Sequence, residues 1–321
     1  QKQPLKPRSM ESSDDDDAAP TARVAAPPPP PKKRKVELPS ATLVHGDCVQ
    51  AMRSVADGTV ALVLADPPYE SVVNAEWDQI SNYMQFSRGW LTEAVRILKP
   101  GGALLVYGSP ERTWIARLTV MLVDELGMHL VQHLSWVYSQ GGGSRVSTAT
   151  KYAVQHEQLL WVQKPGGTRV FNAEAGVEHY RDDERAVALA KGKGRVTNSS
   201  LDRGRPPRTF LDFARENSRS KERSYGVHPS MKPLALCEHL IKLHSSVGDT
   251  VHVPFAGSGS ELLSAAKLGR VALGAETSDE YCQLIRRRAD GHGVVVEPAL
   301  TVSDDSMGVS DAPNDAAQDT E

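Results

Sequence analysis

A chain of 321 residues, 40% apolar and 24% charged with a formal net charge of −3, is long enough for one or two domains with a sizeable core. Its near-balanced charge excludes a uniformly basic nucleic-acid binder, and no apolar run is long enough to span a membrane as a helix. Cys48, Cys237 and Cys282 have no metal-ligand spacing, so neither a disulfide framework nor a metal site is expected and a reducing compartment fits.

Residues 1–39 are polar, Pro-rich and aperiodic, the pattern of a disordered tail, and they begin at Gln1 without Met, as a trimmed or tagged chain would. The acidic run 12–17 reads as a solvated patch, with acid-directed phosphorylation as the rarer reading. Pro27 to Pro31 form a polyproline spacer. The cluster Pro31-Lys32-Lys33-Arg34-Lys35-Val36 that follows is identical to the single-cluster nuclear import signal. It makes an import receptor an expected partner and the nucleus the expected location, a generic basic tail or an added tag being the alternative.

From residue 40 to 296 the pattern alternates between short apolar strands and amphipathic helices, which predicts one α/β domain. Strands are expected at residues 42–45 and 60–65. The second is a continuous apolar run that reads as buried on both faces. Asp66 follows at its carboxyl end, where open α/β sheets place ligands, and Pro67 and Pro68 stiffen the exit towards Tyr69. This turn brings together a carboxylate, a carbonyl and an aromatic ring. An exocyclic amine of a base can donate to Asp66 and to the Pro67 carbonyl while its ring stacks on Tyr69.

A helix is expected over 82–98, stopped by Lys99-Pro100-Gly101-Gly102, then a strand at 103–107 and a helix from Pro110 to about residue 126, ended by Gly127. Strands at 130–137 and 158–162 complete this half, joined by a Gly/Ser-rich connection at 140–151 that reads as mobile. Over 164–228 periodicity fades, and Leu211-Asp212-Phe213 offers the one apolar anchor. The stretch from Tyr180 to Tyr225 carries twelve Lys and Arg against seven acids. It reads as a DNA-facing recognition insert in which Arg195, Arg203, Arg205 and Arg208 meet phosphates and base edges, or else as a long solvated loop.

The chain then resumes with a helix at 233–245, a strand from Thr250, and the turn Pro254-Phe255-Ala256-Gly257-Ser258-Gly259 leading into a helix at 261–268. Gly257 and Gly259 let the backbone approach a ligand at a helix N-terminus, and Glu276 ends the next strand as an acceptor for ribose hydroxyls. A helix is expected at 279–290. Residues 297–321, with seven acids and no Lys or Arg, read as a second disordered tail. His239 and His244 lack ligand partners at helical spacing. Trp90, Trp114 and Trp161 read as core, Trp136 as core or stacking platform, and Arg286-Arg287-Arg288 as cations suited to a helix end.

The pairing of Asp66-Pro67-Pro68-Tyr69 with Phe255-Ala256-Gly257-Ser258-Gly259 resembles the amino-group DNA methyltransferases that use S-adenosylmethionine, in their beta-type order of motifs. His45-Gly46-Asp47-Cys48 is similar to the Gly-Asp turn of that family. His228-Pro229-Ser230-Met231-Lys232-Pro233 is similar to its His-Pro-Thr-x-Lys-Pro segment, and His156-Glu157 with Leu159-Leu160-Trp161 to the strand closing its catalytic half. The resemblance covers about residues 40–290 by motif spacing. It implies a Rossmann-like three-layer α/β sheet, circularly permuted, with S-adenosylmethionine as cofactor and DNA as partner. Asp66, Pro67, Pro68 and Tyr69 become the catalytic set. Asp47, His228, Ser230, Lys232, Phe255, Gly257, Gly259 and Glu276 become the cofactor set.

The implied reaction is methyl transfer to N6 of adenine in a flipped base, since Asp at the first catalytic position goes mostly with adenine and Ser with cytosine. N4-cytosine transfer is one alternative. A non-catalytic DNA-binding protein on the same scaffold is the other. One position departs from the family: Asp usually precedes Pro-Phe, and Val253 stands there. The resemblance reads this as a lost contact to the cofactor's amino group or to the Gly turn. Restoring the acid is then expected to tighten cofactor binding.

Overall fold

The continuous apolar run Val60–Ala65 forms strand β2 with every residue buried, as a run without polar alternation requires. It lies near the middle of a nine-stranded sheet in a computed structural model that describes residues 38–70, 78–138, 150, 152–180, 182–192, 197–217 and 219–298. The tails 1–37 and 299–321, the import-like cluster, Arg195 and all of 140–151 except Thr150 lie outside the described residues.

The other strands are β1 Ser40–His45, β3 Leu98–Gly108, β4 His129–Val137, β5 His156–Gln163, β6 Phe210–Asp212, β7 Thr250–Val253, β8 Val271–Glu276 and β9 Val295–Pro298. They lie in the order β6-β4-β5-β3-β2-β7-β8-β1-β9. Every pairing is parallel except those of β5 with β3 and with β4. The Gly-turn strand β7 follows the Asp66 strand β2 in the chain by almost two hundred residues, yet pairs directly with it.

Side-chain alternation sorts the core into two layers. Leu62, Leu64, Leu105, Tyr107, Leu159, Trp161, Val251 and Val253 face one side, against α6 Leu234–His244, α7 Ser260–Lys267 and α8 Asp279–His292. Val63, Ala65, Leu104, Val106, Leu160 and Val162 face the other, against α1 Cys48–Arg53, α2 Tyr83–Ile97 and α3 Trp114–Val120. Helices on both faces of one sheet make the expected three-layer α/β architecture.

Element ends follow local chemistry where caps are present. Asn82 accepts from the Gln85 N–H to start α2, Ser278 accepts from the Tyr281 N–H to start α8, and Gly293 in the left-handed region ends α8. Three boundaries differ from the expectations. Residues 98–102 do not break the chain but belong to β3, because a register shift opposite Val60 and Leu62 absorbs them. Gly101, at φ 83°, passes so close to the Thr168 carbonyl that a Cβ would lie 2.3 Å from it. The helix after Pro110 starts four residues late, at Trp114, and continues as a π-turn over Met121–Glu125. The short strand β9 pairs with β1 where a tail was expected to begin.

The 164–228 insert is more ordered than its fading periodicity predicts. Within it lie α4 Asp182–Lys191, α5 Asn198–Asp202 and β6, which extends the sheet beside β4. Leu211 is buried as expected, and Leu201 is a second anchor. Trp136 is fully buried, with its indole N–H donating to the Phe213 carbonyl at 2.7 Å, so it serves as core.

Candidate active site

Parallel pairing brings the carboxyl ends of β2, β7 and β8 to one edge, and a cleft of about 290 Å³ opens there. Asp66, Pro67, Pro68 and Tyr69 line it, as do Asp47, His228, Ser230, Lys232, Phe255, Gly257 and Glu276. Gly259 does not. It faces Ile285 of α8, where a Cβ would meet a side-chain carbon at 2.9 Å.

Alternation explains how the polar groups meet. Asp66 continues the face of Leu62 and Leu64, and Glu157 the face of Leu159 and Trp161, so both carboxylates project towards the chain that enters α6. Lys232 lies on that entry. Its Nζ donates to Asp66 Oδ2 at 2.5 Å and lies 3.4 Å from Glu157 Oε2. Only 2% of Lys232 is exposed. Burial alone would depress its pKa, but the Asp66 and Glu157 carboxylates outweigh burial and hold it above the ordinary lysine value.

The Tyr69 hydroxyl donates to Asp66 Oδ1 at 2.6 Å and contacts Glu157 Oε2 at 3.1 Å, while its backbone N–H donates to Asp78 at 2.6 Å. These bonds fix the ring at the wall of the cleft. Burial and the two carboxylates raise the pKa of its phenol.

The opposite wall is the Gly turn. Gly257, at φ 50°, adopts a left-handed backbone that turns its N–H onto Glu276 Oε2 at 2.7 Å, and Ser278 N–H reaches Oε1 at 2.9 Å. Asp47 caps α1, with Oδ1 accepting from the Val49 and Gln50 N–H groups, both at 3.0 Å. His228 packs edge-on against Tyr281 at 4.5 Å, and burial pushes its pKa down to about 4, so the ring is neutral at pH 7. Ile80, Phe86, Pro254 and Phe255 add apolar lining to a cleft that also holds the acids Asp47, Asp66, Asp78, Glu261 and Glu276.

Residues 60–287 match the family N6_N4_Mtase, described as DNA methylase. The chain belongs to this family. It is a DNA amino-methyltransferase of the adenine-N6 or cytosine-N4 type. The type II methyltransferase M.HpaI of Haemophilus parainfluenzae is 26% identical over 252 residues, 77% of this chain and 74% of that protein. M2.DpnII of Streptococcus pneumoniae is 25% identical over 268 residues, 77% of this chain and 89% of that protein.

Among solved structures, a Thermus thermophilus protein described as a putative DNA modification methylase, in complex with S-adenosyl-L-methionine, is 25% identical, with a TM-score of 0.53 over 80% of this chain and 99% of the other. The cytosine-N4-specific PvuII DNA methyltransferase shares the fold at 16% identity, with a TM-score of 0.60 over 81% of this chain and 96% of the other.

Four features of this methyltransferase lay beyond the sequence reading. Val253 belongs to the buried cluster with Leu62, Leu64 and Leu262 and does not line the cleft, so an acid there would face the core and not a cofactor. Glu261, in the first turn of α7, does line the cleft and is 3% exposed. Glu157 joins the Asp66 cluster; the sequence held it only as part of a strand motif. Arg288 is not a solvated helix-end cation. Fully buried, it donates to Glu222 at 2.7 Å, to the Ser258 carbonyl at 2.5 Å and to Ser260 Oγ at 3.1 Å, bracing the Gly turn from behind.

In the insert, Arg203 and Arg208 are exposed. Arg205 is engaged inside it, donating to Glu178 at 3.1 Å and Glu184 at 3.2 Å, and Arg208 also donates to Glu178 at 2.7 Å. The charge of Arg205 is therefore balanced within the insert rather than offered to a phosphate.

Proposed function

We propose that this methyltransferase transfers the methyl group of S-adenosylmethionine to N6 of adenine in DNA, with Asp66 acting on the reacting nitrogen. The observation that carries the reading is the Lys232–Asp66–Tyr69 cluster at the end of β2, with its lysine buried, lining one cleft with the Gly turn. Asp rather than Ser at this position favours adenine.

The cleft fits the cofactor in kind. Its apolar lining suits an adenine ring, Glu276 at the end of β8 suits a ribose diol, and its other acids suit a cation. Bound there, the cofactor supplies an electrophilic methyl group on a sulfonium.

The chain supplies the rest. An aromatic amine is a poor nucleophile because its lone pair is conjugated with the ring. Hydrogen bonds from its N–H groups to Asp66 and to the Pro67 carbonyl draw the nitrogen towards tetrahedral geometry and free that pair for attack. Tyr69, tethered through its hydroxyl, offers the flipped base a stacking face. Lys232 sets a positive charge against Asp66 Oδ2, which leaves the remaining lone pairs of the carboxylate to orient the amine and receive its proton. Arg203, with Arg195, is the proposed phosphate contact of the insert, since Arg208, like Arg205, is paired with Glu178.

The import-like cluster supports nuclear delivery by an import receptor, proposed on its sequence alone. Incubation with labelled cofactor and mixed-sequence DNA, followed by nucleoside mass spectrometry, tests the reaction. N6-methyladenine is expected. N4-methylcytosine would move the assignment to the other amine, and no labelled nucleoside would favour a DNA binder without turnover.

A further inference from the structure

The reaction reads Asp66, Lys232, Tyr69 and Glu276, and leaves a buried acid of the cleft without a task. Glu261 is 3% exposed and lines the cavity, and its Oε1 has no hydrogen-bond partner among the described residues. A buried carboxylate oxygen without a donor is costly, and native proteins keep one where something else completes it.

The charges around it show what is missing. Asp66 comes to it from the end of β2, Lys232 from the entry to α6 and Arg288 from α8, with the neutral Tyr107 of β3 and Cys237 of α6 beside them. Lys232 is committed to Asp66 and Glu157, and Arg288 to Glu222 and the Gly turn. Three acids, Asp66, Glu157 and Glu261, thus share one lysine, Lys232, which lines the cleft with Asp66 and Glu261. Burial, and then Asp66, push the Glu261 pKa up to about 7, as expected of an acid awaiting a cation.

We infer that Glu261 is the acceptor for the cofactor's ammonium group, the task the family pattern would assign to an acid at position 253. The inference rests on the methyl-transfer reading. Val253 shows why the task could move. It points into the core one strand residue short of the turn, whereas Glu261, in the first turn of α7, opens into the cleft. The helix N-terminus behind Glu261 favours its ionised form once a cation arrives.

Titration calorimetry with S-adenosylhomocysteine and with its deaminated analogue separates the outcomes. The wild-type protein is expected to bind the amino compound about ten- to a hundredfold more tightly, the span of a lost charge-assisted hydrogen bond. Glu261→Gln is expected to bind both compounds alike, at the level of the wild type with the deaminated one. A Glu261→Gln protein that keeps the full preference overturns the inference.

A second measurement needs no variant. At pH 7, binding of the amino compound is expected to release protons from Glu261, read from the dependence of the heat on buffer ionisation, and the deaminated compound is expected to release none. Equal proton release by both also overturns it. A wild-type protein that binds neither compound overturns the methyl-transfer reading itself, a result distinct from either of these.

Discussion

Asp66 is held by two hydrogen bonds of different kinds, one from the neutral phenol of Tyr69 and one from the Lys232 ammonium. The bond from the ammonium is the stronger, and it is fully desolvated on the lysine side. The carboxylate therefore has a fixed orientation before any substrate arrives, which is what positioning a weak nucleophile requires. Val253 is the opposite case, a residue next to the chemistry that does not face it. Val253→Asp is expected to bury an unpaired carboxylate and lower stability by roughly 3–5 kcal/mol, with no gain in cofactor affinity. Urea unfolding and calorimetry measure both; tighter binding in a stable variant would place the side chain in the cleft.

The turn proposed as catalytic was legible in the sequence because its pattern is local: strand end, carboxylate, two prolines and ring are consecutive. Glu261 was not, since nothing in Gly259-Ser260-Glu261 distinguishes a helix-start acid from one aimed into a cleft. Lys232 was assigned to the cofactor, and its bond to Asp66 spans 166 residues that no local pattern connects.

At the scale of elements, the buried carboxylate of Glu222 ties the insert to α8, beside the Arg287–Tyr225 hydrogen bond and the His228–Tyr281 ring contact. Glu222, in the short 3-10 turn Lys221–Tyr225, accepts from Arg288 at 2.7 Å and contacts His292 Nε2 at 3.0 Å. Burial alone would raise the Glu222 pKa, but Arg288 and His292 outweigh burial and hold it below the ordinary value. The stability it contributes is therefore present above the unfolded carboxylate pKa and is lost as pH falls through the lower folded value.

Glu222→Ala leaves Arg288 buried without its counter-charge, for an expected loss of about 3–5 kcal/mol. Because Arg288 also holds the Ser258 carbonyl, cofactor affinity is expected to fall with stability. Denaturant titration and calorimetry check the pair of effects, and unchanged stability would mean that the Glu222–Arg288 pair does not hold the Gly turn. Elements with strong periodicity and a side-chain cap, such as α2 and α8, could be read to within about two residues. β3 and the ordered parts of the insert could not, because a register shift and pairing to β4 decide them, and both are tertiary.

Across the whole molecule, charge is distributed by segment rather than by fold. The basic cluster at residues 31–36 and the acid-rich end at 297–321 flank a domain whose own balance is close to neutral. Substituting Lys33→Ala together with Arg34→Ala in a fluorescent fusion is expected to move the protein from nucleus to cytoplasm, and an unchanged nuclear signal would assign import to another segment or partner.

Within the domain, the architecture was legible from alternating strands and helices. The convergence of β2, β7 and β8 was not legible from periodicity and entered only as what the family resemblance implies, since it depends on strand order. That convergence puts Asp66 opposite the Gly turn, and the account depends on it most. Single-turnover methyl transfer by Asp66→Ala, with protein in excess over DNA and cofactor saturating, tests it most directly. Lys232 keeps Glu157 as its partner at 3.4 Å, so folding and DNA and cofactor binding are expected to survive the substitution. The rate is expected to fall by about 10³-fold. A rate within about tenfold of the parent would mean that Asp66 does not act on the reacting nitrogen.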